Sequence, residues 1–516
     1  LSVKLSSNRL VALPPRIFSP LTHLDQLLLD GNRLESIAPK MFEGLSDLQV
    51  IDLSRNNLGS LAAELFTGLS KLHFLNLGRN SIKELPPTIF HPLTNLKTLF
   101  IYNNEIKTLD GGMFAGLDKL TELKLHYNQI ASLPPQLKNF FTTVPVETFR
   151  SLTTLNKLLL SGNNISHLPE EAFKGLSKLK ILRLNRNALQ ELSAGTFDDL
   201  VGLEELSLQN NLITHLPPDL FAKTKNLQKL FLSHNRLTSL PQGVFINLPL
   251  LSQISLYKNQ LESLGPGVFG PMPLRELWLY DNKLSLVEDD TFSNLTQLFL
   301  LVLSRNQISH VSTGAFRGLE EIGEISLHTN LLRSLQTGTF RGLPNLLHIS
   351  LEHNFLSTLP AGVLQGVSQL ENIDLHNNSF PNLPQTSLDT LTVATKVLLQ
   401  QNPWSTLPKG LFSPLEKMKT LDLSKNHFVT MSAEYFEGLG GLRELKLENN
   451  KIHSLDADVF HELPSLTTLR LAHNDLRTLP GDTFQPLVKL TKLYLNNNPW
   501  QCDCNLVQLH SWIVSN

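Results

Sequence analysis

Cysteine is nearly missing from this chain: of 516 residues only Cys502 and Cys504 are cysteines, and both lie close to the last residue. A disulfide framework therefore does not hold the rest of the molecule together. Charge is also sparse, with 17% charged residues and a formal net charge of -2, so no bulk attraction draws the chain to nucleic acid or to an anionic membrane. No apolar run approaches the roughly 20 residues that a spanning helix needs. The sequence opens at Leu1 already inside a repeated pattern, so the expectation is a fragment trimmed at both ends, with any membrane attachment supplied by a segment outside it. Catalytic motifs are missing too. There is no Ser/His/Asp order, no Gly-rich phosphate loop and no HExxH, and acidic pairs are scattered, so neither an enzyme nor a cofactor is expected.

The length exceeds one globular core, which leaves several domains or an array that grows by addition. What is present decides for the array. The run LxxLxLxxNxL recurs with its asparagine at 8, 32, 56, 80, 104, 128, 163, 187, 211, 235, 259, 282, 306, 330, 354, 378, 402, 426, 450, 474 and 498, which makes 21 repeats. Of the 20 intervals 18 are 24 residues, one is 35 and one is 23. The LxL alternation predicts a short strand with its leucines turned inward, and stacked repeats predict one long parallel sheet. Each asparagine stands where the chain leaves the strand, and its amide is expected to bond backbone groups of adjacent coils. Phenylalanine ten residues later (Phe18, Phe42, Phe66 and onward to Phe484) predicts a stacked aromatic spine, thinner at Leu364 and Leu388. Leu-Pro pairs such as Leu13-Pro14 and Leu85-Pro86 favour extended connections over long helices. The long interval places about 11 extra residues at 136–146, read equally as a loop with Phe140 and Phe141 or as a gene-model error.

After the last ladder asparagine, Asn498-Pro499-Trp500-Gln501-Cys502-Asp503-Cys504 followed by Leu506, Leu509 and Trp512 resembles the cysteine cap of extracellular leucine-rich-repeat proteins. The 24-residue unit with Leu-Pro and Phe is similar to their "typical" class, which includes platelet glycoprotein V, leucine-rich repeat-containing protein fifteen and the carboxypeptidase N regulatory subunit. The resemblance implies an α/β solenoid, a leucine-rich-repeat horseshoe with its parallel sheet on the concave face and irregular convex segments. It divides the chain into an array at 1–498 and the start of a cap at 499–516, and it implies an extracellular, oxidising compartment. Cys502 and Cys504 are then expected to pair with partners beyond Asn516; zinc is the competing use of a CxC spacing. Sequons at Asn164, Asn294 and Asn377 fit glycosylation but are near the number that chance supplies. Asn402-Pro403-Trp404 reads like a cap start that lacks its cysteines.

The functional expectation is a protein-binding scaffold: a cell-surface adhesion or matrix receptor, with a secreted subunit carrying a protease or an innate pattern-recognition ectodomain as alternatives. The residues flanking the strand leucines face solvent, so their columns can be searched for a site. Phe231, Tyr257, Trp278 and Tyr280 fall in consecutive repeats as potential interface anchors, although aromatics also suit strands for their own sake. Around them Glu276, Asp281, Glu324, Glu352 and Asp374 outweigh Arg305, so a protein partner with a basic surface is expected, and no nucleic acid. A second, smaller aromatic group is Phe100, Tyr102 and Tyr127, beside a basic stretch of Lys124, Lys157, Arg183 and Arg186. His328, Glu352 and His376 share one column, which a metal or a proton could use; a solvated polar face is the preferred expectation, with no metal.

Overall fold

The computed structural model describes residues 1–131, 133 and 148–516, so the insertion at 136–146, with Phe140 and Phe141, lies outside the described residues. The chain forms two compact units, Leu1–Gln260 with Gly267–Met272, and Leu261–Pro266 with Pro273–Asn516. Each unit is a solenoid. In the first, eleven strands from Ser2–Lys4 to Gln253–Ser255 pair in parallel with their neighbours along the chain. In the second, ten strands from Glu276–Trp278 to Lys492–Tyr494 do the same. Their pairing keeps one register, as in Thr98↔Glu122 and Glu324↔His348. The long interval leaves it unchanged, because Glu122 pairs with Lys157 just as its neighbours pair.

Each strand is three residues long because the alternation that favours it lasts only that far. Its central residue is core, with Leu99, Leu123, Leu277 and Ile325 all at 0% exposure. The flanking positions form the outer face of the sheet, half-exposed or exposed in most strands, although the third residue is buried in several, as at Asn76, Leu159 and Asp422. The ladder asparagine closes the strand. Asn330 Nδ2 donates to the carbonyls of Leu327 in its own coil and of Leu303 in the preceding one, while its Oδ1 accepts from the amide of Ile308. The same pattern recurs from Asn32 to Asn498, across the long interval included, so one buried amide per repeat satisfies backbone groups of two coils.

Every ladder asparagine is preceded by a residue with positive φ, between 51° and 70°. Two of these residues, Gly31 and Gly162, are glycines; the others carry side chains, including β-branched Thr329 at φ 56°. The turn into the ladder demands the left-handed conformation whatever the residue, and the hydrogen bonds around it hold the chain there.

Behind the sheet runs the aromatic spine. In the first unit ten rings from Phe42 to Phe269 stack with centroids 5.8 to 6.5 Å apart. Phe316–Phe340 and Phe460–Phe484 continue the motif in the second unit, on either side of the buried Leu364 and Leu388. Trp404 is fully buried at the core position that Leu332 and Leu356 fill in earlier repeats, so the apparent cap start is a core residue of a continuing array. Near the last residue the helix Val507–Ser515 buries Leu509 and sets Trp512 5.3 Å from Phe484, while Cys502 and Cys504 are exposed thiols. Among the described residues no helix is long and apolar enough to cross a membrane.

Candidate functional site

Of the eight residues expected to bind a partner, Phe231 and Tyr257 belong to the first unit and the other six to the second. Phe231 ends the strand Lys229–Phe231 and is half-buried; Tyr257, also half-buried, meets the His234 ring edge to face at 5.6 Å.

In the second unit the strand Glu276–Trp278 places an acid and a ring on one face. The indole Nε1 of Trp278 donates to Glu276 at 3.2 Å, and its ring meets Tyr280 edge to face at 6.0 Å. Both rings are half-buried rather than freely exposed, and their edge-to-face contact fixes the geometry of the pair in advance. Asp281 pairs with Arg305 at 2.8 Å, which cancels charge that the sequence assigned to the acidic side. Glu324 shares a column with Glu276 through the register Glu276↔Leu300↔Glu324 and stands two strands away, about 10 Å.

Further along this face His328, Glu352 and His376 occupy one column in successive coils, as expected. Glu352 Oε2 is buried with no hydrogen-bond partner among the described residues, and burial, followed by the Asp374 charge, pushes its carboxyl up to about 7. His376 is held above the usual imidazole range by its hydrogen bond to Asp374, while burial lowers His328. The His353 ring lies 4.8 Å from that of His376, edge to face. Among the described residues no three His, Cys, Asp or Glu side chains converge as a metal-binding group. The sequence missed Leu331 and Phe355, 45% and 52% exposed one residue after successive ladder asparagines. A large apolar residue at that position was the available signal. The sequon asparagines Asn164, Asn294 and Asn377 are all exposed; Asn377 contacts His353 Nδ1.

The first unit carries more aromatic structure than the columns alone suggested. Phe74 and Phe100 meet at 5.5 Å, Phe100 and Tyr102 at 6.1 Å, Tyr102 stacks flat on His126 at 4.9 Å, and His126 meets Tyr127 at 5.6 Å. Two glycines make this possible. A β-carbon on Gly78 would lie 2.6 Å from the Tyr102 ring, and one on Gly162 would lie 2.3 Å from that of Tyr127. The sequence columns alone do not mark Phe74 and His126; the glycines at 78 and 162, in columns that otherwise carry side chains, are the signal.

The leucine rich repeat model matches nine stretches: 22–82, 70–130, 138–189, 177–237, 225–284, 272–332, 321–380, 393–452 and 441–499. Among solved structures the chain is similar to Toll in the Drosophila Toll–Spatzle complex, at TM-score 0.75 and 18% identity over 96% of this chain and 69% of that one. It is also similar to TLR13 in a complex with ssRNA13, at TM-score 0.56 and 24% identity over 99% and 90% of the two chains. The plant peptide hormone receptor RGFR1 in complex with RGF2 gives TM-score 0.55 and 25% identity over 96% and 87%. The comparison with curated proteins gives no match, so it singles out none of the "typical" class members that the sequence resembles. With its ladder, its spine and family matches covering most of its length, the chain belongs to the leucine-rich-repeat family.

Proposed function

We propose that the chain is an extracellular, non-enzymatic protein-binding scaffold of the "typical" leucine-rich-repeat class, acting as a cell-surface adhesion or matrix receptor ectodomain. The second unit's sheet face carries the binding site. The observation behind this is the preset Trp278–Tyr280 pair with Glu276 at its edge and Glu324 in register nearby, an aromatic anchor ringed by acids that suits a basic protein surface. A second version, a receptor ectodomain for a soluble protein or peptide ligand, draws support from the likeness to Toll with Spatzle and to RGFR1 with RGF2.

Surface plasmon resonance against candidate basic partners tests the site. Trp278→Ala is expected to weaken binding by about 30-fold, the equivalent of about 2 kcal/mol, because an interfacial anchor is lost. Glu324→Ala is expected mainly to slow association and reduce its salt dependence. Unchanged affinity for Trp278→Ala and Tyr280→Ala, in folded protein, would move the site elsewhere.

A further inference from the structure

We infer that the first unit carries a second docking surface, the aromatic and basic face from Phe74 to Arg186, which takes an acidic segment of a protein partner. It extends the scaffold reading to a separate surface and a ligand of opposite charge.

The cations come first. Arg79, Lys124, Lys157, Arg183 and Arg186 all belong to this face, against Glu122 and Glu205. Glu122 is shared between Lys124 at 3.4 Å and Lys157 at 3.5 Å, and Glu205 reaches Arg183 at 3.4 Å. With half-exposed Glu105, which follows Asn104, counted as a third acid, five cations leave a local excess of two positive charges on a chain whose formal total is -2. Arg79 and Arg186 are exposed and form no ion pair among the described residues. The field is felt at His126, whose imidazole is lowered to about 4 by burial and then by Lys124, Arg183 and Lys157. His126 is therefore neutral at pH 7, and its buried Nδ1 has no partner among the described residues.

The aromatic floor gives the charges a fixed geometry. Lys124 Nζ sits 4.1 Å over the Phe100 ring, which orients the ammonium instead of leaving it on a free stem. Tyr127, 45% exposed and seated over Gly162, is the most open ring of this face, where Phe74, Phe100, Tyr102 and His126 are half-buried.

Ring exposure on this face separates two classes of polyanion. Single-stranded nucleic acid binds through successive open ring faces on which bases stack. Here the Phe100 face is taken by Lys124 and the Tyr102 face by His126, leaving Tyr127 as a lone platform. Carboxylates need no ring faces. They need fixed cations with some apolar surface between them, and the arginines offer paired donors for each carboxylate.

The test uses the whole chain and a synthetic peptide of alternating glutamate and tyrosine, with a lysine–tyrosine peptide and an oligouridylate of equal length as comparisons. Binding is followed by fluorescence anisotropy at several salt concentrations. The glutamate–tyrosine peptide is expected to bind, to weaken as salt rises, and to lose at least about tenfold in affinity in Lys124→Glu/Arg183→Glu. Arg186→Glu, at an exposed position outside any ion pair among the described residues, gives a milder loss and guards against misfolding of the double variant, which circular dichroism also monitors. Tyr127→Asn keeps the left-handed backbone and is expected to weaken binding severalfold. Trp278→Ala and Glu324→Lys in the second unit leave this binding unchanged, so the two surfaces are judged separately. The proposal is overturned if the acidic peptide does not bind at low salt, if the charge reversals leave its affinity unaltered, or if oligouridylate binds the same face more tightly.

Discussion

Thr329 holds its backbone at φ 56° although its branched β-carbon disfavours that conformation. Replacing it with asparagine, which tolerates left-handed φ, is expected to stabilise the protein by about 0.5–1 kcal/mol, seen as a higher urea midpoint. An unchanged or lower midpoint would show that the turn does not strain Thr329. Its neighbour Asn330 has the opposite sensitivity. Asn330→Ala strands the amide of Ile308 and is expected to cost about 2 kcal/mol; the carbonyls of Leu303 and Leu327 lose one donor each but keep Asn306 and Asn354. The asparagine's role was legible because one amide at a fixed spacing has few other uses. The strained residue before it was not, since its identity varies from arginine to tyrosine and only the backbone is constant.

Glu352 offers a residue-scale test with a definite sign. Its folded-state carboxyl is raised from 4.5 to about 7, so the folded protein holds this proton more tightly than the unfolded chain. Its contribution is complete below about pH 4.5 and is lost as the pH rises through about 7. Glu352→Gln is therefore expected to stabilise by about 1 kcal/mol at pH 8, once partial screening by solvent is allowed for, and to change nothing at pH 4. Urea titrations at the two pH values check it; equal effects at both would contradict the linkage. The sequence showed the column of His328, Glu352 and His376 but not the depth of Glu352, which depends on how its neighbours lean over it.

At the scale of elements, the spine is the clearest case of sequence foretelling structure. One phenylalanine per repeat at a constant offset leaves only one way to stack, and Phe114 and Phe149 remain 6.1 Å apart although the chain between them is longer. Phe66 touches rings on both sides, at 6.2 and 6.5 Å, so Phe66→Ala is expected to cost about 4 kcal/mol. Hydrogen exchange would locate the damage: protection should fall in the repeats around Phe66 and persist several repeats away. The sheet face was less legible. Column membership follows from the alternation, but the direction of each ring does not; Tyr102 and Tyr127 lie as they do because Gly78 and Gly162 leave room.

At the scale of the whole molecule, contacts run almost wholly between consecutive coils within each unit, and cooperativity is correspondingly short-ranged. Urea unfolding is expected to be broad, with an apparent m-value well below that of one cooperative chain of 516 residues. A single sharp transition with matching calorimetric and van't Hoff enthalpies would refute this.

The constant offsets of the ladder bear on how such a chain can change in length. In the regular repeats the asparagine reaches 27 residues back for one carbonyl and accepts an amide from 22 residues back, with the same numbers at Asn56, Asn330 and Asn474, whereas Asn426 accepts from Asn402, 24 back. A 24-residue segment copied in tandem would meet, on both sides, the hydrogen-bonding partners it already had. Duplication of a regular repeat in the gene therefore demands no new interface; the repeat of fully buried Trp404 is different, because Asn426 takes its amide from Asn402 and the indole Nε1 has no partner among the described residues, so a copy of that repeat would carry its irregularity with it.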